Sequence, residues 1–166
     1  VSTASPEAQR YFDQGLAFMY AFNHDEAIRA FTRAAELDPD CAMAHWGVAI
    51  ANGPHINNTA VPPERAAAAC AALGRARAAS AGASAVERAL IEALAARYAD
   101  PQPADRAPLE RAYAEAMRGV WQAFPDDPDV GALFAESLAD LRPWDLWTPD
   151  GTLIAVFESV YWLDRL

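Results

Sequence analysis

This sequence contains no lysine: all 13 of its basic residues are arginine, set against 23 acidic ones for a formal charge of −10. So acidic a chain repels phosphate backbones, and no arginine cluster is interleaved with aromatics, which argues against nucleic acid as a partner. Hydrophobic residues make up 53% of the chain, yet no apolar run approaches the roughly 18 residues that a membrane span needs. A soluble protein with no membrane partner is expected. Cys41 and Cys70 are the only cysteines, and 166 residues are enough to bury a core without disulfides or a structural metal. Cys41 opens one expected helix and Cys70 lies part-way along the antiparallel helix after it, an offset beyond a disulfide's reach. Val1 is not an initiator Met and no basic, apolar leader follows it, so a signal peptide is read as absent or removed. Cytoplasm and periplasm both stay open. Gly-rich phosphate loops, HExxH and GxSxG are lacking, as is a Cys-His-Asn signature, so catalysis is not the expected function.

What the chain has in excess is alanine, about a quarter of all residues, a bias expected of a GC-rich bacterial genome. From Ala8 to Ala49 apolar residues recur at helical spacing in two segments parted by an Asn-led turn, and a third segment follows Asp38-Pro39. Gly15 and Ala27 are small enough to let two antiparallel helices cross, with Tyr11, Phe18, Phe31 and Ala34 filling the seam around them. Asn23 with Glu26, and Ser84 with Glu87, have the spacing of capping boxes. Ser5-Pro6 suits a first-helix start, Pro39 a stop, and Asp105 with Pro108 another start. Helices are expected over about 7–22, 25–37, 41–52, 64–80, 84–98, 105–124, 129–141 and 153–166. The fold class is therefore all-α, seven or eight helices in antiparallel hairpins.

Gly15, Ala27, Phe31, Ala34 and Pro39 stand at the spacings of the 34-residue tetratricopeptide repeat (TPR), which the segment 8–41 resembles. A second repeat would begin at 42. DDPDVGALF repeats the layout of LDPDCAMAH, with Pro128 at the place of Pro39 and Phe134 at that of His45, so residues 64–142 read as divergent repeats. The resemblance implies one domain over 1–166 wound as a right-handed superhelix. AFNHDEA, LDPDCAMAHWG, GPHIN and LRPWDLWTPDG, in this order, also resemble the opening part of a group of longer bacterial TPR proteins, which continue into His-rich repeats.

A TPR superhelix implies a concave groove lined by the first helix of each pair. Here that means Gln9, Phe12, Leu16, Met19 and Tyr20, then Met43, Trp46 and Ile50, an apolar and aromatic face suited to a protein or peptide. Trp144 and Trp147, flanking Asp145 in a Pro-bounded loop, could cover its end. The competing reading is that later helices bury this stripe as core. All three histidines fall between His24 and His55, which invites a divalent or copper ion. Antiparallel packing should bring His55 to His24 and leave Cys41 and His45, one helical turn apart, at the opposite end. The alternative is an exposed His24 and a His45 ring that fills core. Glu87 and Glu92 read as solvating charges, as do Glu136 and Asp140, the nearest approach to a paired carboxylate site. In the last segment Leu153, Ile154, Val156, Phe157, Val160, Tyr161, Trp162 and Leu163 leave an apolar surface that suggests self-association through 153–166.

Overall fold

The computed structural model describes residues 1–145 and 147–152. Among these it is all-α and contains no β-strand: α1 (Pro6–Tyr20), α2 (His24–Leu37), α3 (Ala42–Ala51), α4 (Pro63–Ala78), α5 (Ala85–Ala95), α6 (Ala107–Ala123) and α7 (Pro128–Ala139), with one 3-10 turn at Ser80–Gly82. The expected last helix and its apolar surface lie outside the described residues. Each helix packs on its chain neighbours, and α1 also meets α3 while α3 meets α5. That pattern of nearest neighbours plus alternate helices is how a stack of helical hairpins buries a continuous core. No helix among the described residues is long and apolar enough to cross a membrane.

At the centre is α3, AMAHWGVAIA, every residue of which is buried. Small residues allow this, because they let α1, α2, α4 and α5 all approach one ten-residue rod. The key side chain comes from α2. Phe31 is fully buried, with Gly15 of α1 and Gly47 of α3 both against its ring: a Cβ on Gly15 would lie 2.7 Å from Phe31 Cδ1, and one on Gly47 only 2.4 Å away. The Phe12 ring packs tilted on it at 5.3 Å. The expected small-residue crossing is thus present, with Ala27 fully buried beside it, but it involves a third helix as well.

Helix ends follow local chemistry with two corrections, one of them at α6, where Arg106 holds the cap position and Asp105, one residue earlier, accepts only the Ala107 N–H at 2.9 Å. The Ser5 hydroxyl accepts from Ala8 N–H, Ser84 and Glu87 form the full capping box, and Asp127 caps α7 at Asp129 and Val130. Asn23 precedes α2 but its side chain makes no cap. Its backbone N–H instead closes α1 onto Phe18 O at 2.9 Å, while Phe22 N–H reaches Met19 O at 3.0 Å. This Schellman closure places Phe22, a non-glycine residue, at φ 58°. The turn between α1 and α2 thus uses Asn23 to finish the first helix. The junction of α6 and α7, where the sequence repeats the layout before α3, buries Phe134 against Trp121, their rings stacked at 5.6 Å.

Candidate functional site

The face expected to be a groove is partly core and partly open. Met19, Ile50, Phe12, Met43 and Trp46 are all buried, which bears on the competing reading that later helices cover this stripe. Met19 and Ile50 stay inside it. Phe12, Leu16, Tyr20, Met43 and Trp46 nonetheless wall a cavity of about 380 Å³, closed on its far side by Val86 and Leu90 of α5 and Leu133 of α7. Tyr20 stands at the rim, its hydroxyl donating to Asp129 at 2.7 Å. Burial first, and the Asp129 acceptor second, push that phenol well above its ordinary range. The indole N–H of Trp46 is buried and has no acceptor. Trp144 and Trp147 are exposed and do not border this cavity.

The chain's own first residues, Val1 and Ser2, line this opening. Ser2 donates its backbone N–H to Glu87 Oε1 at 2.6 Å and its hydroxyl to Oε2 at 2.5 Å, and the Thr3 hydroxyl donates to Asp38. Glu87 is therefore buried and not a solvating charge as its sequence context suggests, because residues before α1 cover the start of α5. Burial works to raise its carboxyl, and the donors from Ser2 and Ser84 outweigh this and hold it below the ordinary value.

At the opposite end of α3, His24 and His55 meet as expected: their rings stack with centroids 4.0 Å apart. His24 opens α2, and His55 is set by a tight turn in which His55 and Asn58 exchange backbone hydrogen bonds of 3.0 and 2.9 Å. Phe22 lies edge-on to the first ring at 6.1 Å and tilted to the second at 5.9 Å. Both ring nitrogens of His24 and Nδ1 of His55 are buried without a partner. Burial, then His55 and Arg65, lower His24 to about 4, so it is neutral at pH 7 with a lone pair free. Arg65 is paired with Asp25 beside them. Cys41 and His45 stand apart from this pair, at the start of α3, where His45 Nε2 lies 2.9 Å from Pro39 O and burial raises the Cys41 thiol. Among the described residues no three or more His, Cys, Asp or Glu side chains converge as a metal cage. Cys41 and Cys70 are both free thiols.

A fourth place is not legible as a site from the sequence. Arg97 at the end of α5 is buried, with Nε on Glu110 Oε2 at 2.8 Å, Nη2 on Asp140, and its guanidinium 4.6 Å over the Tyr113 ring. Arg106 joins through Glu110 Oε1 at 2.8 Å and the Arg97 carbonyl at 3.0 Å. Asp140 is consequently buried and ion-paired, correcting the reading of it as solvated. Its neighbour Glu136 is pushed up to about 7 by burial first and the Asp140 charge second, against the pull of Arg97. The available signal is Arg97 itself, which continues the spacing of Leu90, Ile91 and Leu94 two residues past the end of α5.

Comparison of the chain with protein-family models, curated proteins and solved structures finds no match.

Proposed function

We propose that this chain is a TPR-like module that binds a protein or peptide in extended form through the cavity between α1, α3, α5 and α7. The observation that carries the reading is the apolar opening of about 380 Å³ that Phe12, Leu16, Tyr20, Met43 and Trp46 wall together. Leu16 and Phe12 would take apolar side chains, and Tyr20 at the rim a polar contact. The placement of Val1 and Ser2 supports the same reading, since a piece of chain already lies in this opening, held there by Glu87. The test is selection of binders from a displayed random-peptide library, followed by titration. Enriched peptides should bind wild-type protein and lose about 30-fold affinity or more on Leu16→Glu, with Tyr20→Ala as a milder rim variant. Enriched peptides that bind both variants as tightly as wild type would exclude this cavity.

A second reading, a metal-handling protein, is favoured by the histidine pair alone. Two neutral imidazoles with unpartnered nitrogens, pressed against a Phe22 held at positive φ, resemble half of a copper or zinc site whose other ligands are water or a partner's. Metal content after purification without a His tag decides it. Stoichiometric copper or zinc that disappears in the His24→Ala, His55→Ala double variant is the expected result, and metal-free protein that takes up neither ion on titration would end this reading.

A further inference from the structure

We infer that the peptide this groove takes carries an arginine, whose guanidinium replaces Ser2 on the Glu87 carboxylate. The inference rests on the groove reading above and names the chemistry of its ligand. It starts from a buried charge with no cation. Glu87 lines the groove and is only 6% exposed, and its carboxyl is held below the ordinary value, so it is ionised at neutral pH. A carboxylate so buried is ordinarily paired with a cation, as Asp140 is with Arg97 in this same chain. Among the described residues the donors to Glu87 are all neutral: the backbone N–H and hydroxyl of Ser2, and the backbone N–H of Ser84.

The way Ser2 is held gives the shape of its replacement. Its N–H bonds Oε1 at 2.6 Å and its hydroxyl bonds Oε2 at 2.5 Å, so two donors of one residue span both carboxylate oxygens. A guanidinium presents two parallel N–H groups to a carboxylate in a similar fork, and it adds the missing positive charge. Val1, Ser2 and Ala4 are exposed, so this segment can lift off toward solvent while Ser5 stays behind as the cap of α1. Because Ser2 is what lies on Glu87, the ligand reaches the carboxylate by taking its place. The surroundings favour the same ligand. The charged side chains lining the groove are Glu87, Asp127 and Asp129, all acidic. The positive group on a lining residue is the Val1 amino group, which donates to Gln9 Oε1 at 3.0 Å and departs with Ser2. At the rim, Asp129, Glu136 and Asp127 all act to raise the Tyr20 hydroxyl. An acidic peptide is repelled by this field, and a neutral one leaves Glu87 without a counter-charge. Phe12, Leu16 and Leu90 offer apolar surface to the aliphatic stem of the arginine.

The test uses the peptide most enriched from the displayed random library, and a copy in which citrulline replaces arginine, keeping the shape and removing the charge. Both are titrated calorimetrically into wild type, Glu87→Gln, Ser2→Pro and Leu16→Glu. Against wild type, citrulline should weaken binding about 30-fold or more. Against Glu87→Gln, whose glutamine can still serve the Ser84 capping box, it should cost no more than about threefold. Ser2→Pro removes both donors of Ser2 and leaves α1, α3, α5 and α7 untouched, so it should bind the arginine peptide about tenfold tighter even where Glu87→Gln fails to fold. Enriched peptides without arginine, or a citrulline copy that binds wild type as tightly, would overturn the inference, and the groove reading would survive as long as Leu16→Glu still weakens binding. So would a citrulline effect undiminished in Glu87→Gln, or an affinity that Ser2→Pro leaves unchanged. No enriched peptide, or peptides that bind Leu16→Glu as tightly as wild type, would end both readings.

Discussion

Gly47→Ala adds one methyl group at the point where three helices meet, and it should cost stability in spite of improving the helix. In isolation the change favours α3 by about 1 kcal/mol, since alanine loses less backbone entropy than glycine. The structure opposes this. The new Cβ would lie 2.4, 2.5 and 2.7 Å from Phe31 Cδ1, Cγ and Cε1, where carbon pairs rest at about 3.5–4.0 Å. Relief requires the ring to retreat by more than about 1 Å, and on the α1 side it already lies so near Gly15 that a Cβ there would come within 2.7 Å of it. Overpacking of this kind costs about 1–3 kcal/mol, and contacts this short put the change in the upper half of that range, so after the helix gain the net loss should be about 1–2 kcal/mol, or roughly 3–6 °C in Tm for a chain of this size. Urea and thermal unfolding of wild type, Gly47→Ala, Phe31→Leu and the double variant measure it. The smaller leucine side chain in place of the Phe31 ring should absorb the methyl, so the double variant should lose less than the sum of the singles. A Tm unchanged or raised in Gly47→Ala would refute the wedge and leave only helix propensity at work.

Gly15→Leu, facing the same ring from α1, should be worse than Gly47→Ala because more atoms enter the same space, while Pro39→Ala, which removes only a stop signal after α2, should be mild; thermal melts rank the three. Glu136→Gln should stabilise the protein at pH 8 and change little at pH 5. Between the ordinary 4.5 and about 7 the folded state keeps a proton that the unfolded state has released, so stability falls as pH rises through that window, by at most about 3 kcal/mol. A glutamine carries no such penalty, and urea melts of both proteins at the two pH values compare it directly, with equal differences at pH 5 and 8 as the contrary result. Phe22→Gly relieves the positive φ and removes a ring from the histidine pair, so it should raise His24 from about 4 toward its ordinary 6.5, readable by NMR titration of the ring protons.

Much of this architecture is written in spacing. The helices follow from apolar periodicity and from caps at Ser5 and Ser84, because these signals act within a few residues of themselves. The meeting of His24 with His55 is legible too, since antiparallel packing fixes which helix ends coincide. What fails does so for nonlocal reasons. Asn23 has the identity and spacing of a cap, but its backbone is committed to ending α1. Glu87 reads as solvated because nothing near it in sequence says that Ser2, far upstream, lies over it. The Arg97, Glu110 and Asp140 chain joins three helices through contacts more than ten residues apart, beyond any periodicity argument. Gly47 looks like an ordinary small residue of an apolar helix until Phe31 is placed against it.

The groove reading rests most directly on one resonance, the Trp46 indole N–H in a ¹⁵N–¹H spectrum, assigned by its loss in Trp46→Phe. Titration of a library-selected peptide should shift that resonance, because Trp46 walls the cavity, together with Leu16 and Tyr20 signals. Saturating peptide that leaves the Trp46 indole unmoved while shifting residues elsewhere would contradict the account, placing the binding surface outside the α1, α3, α5 and α7 cavity.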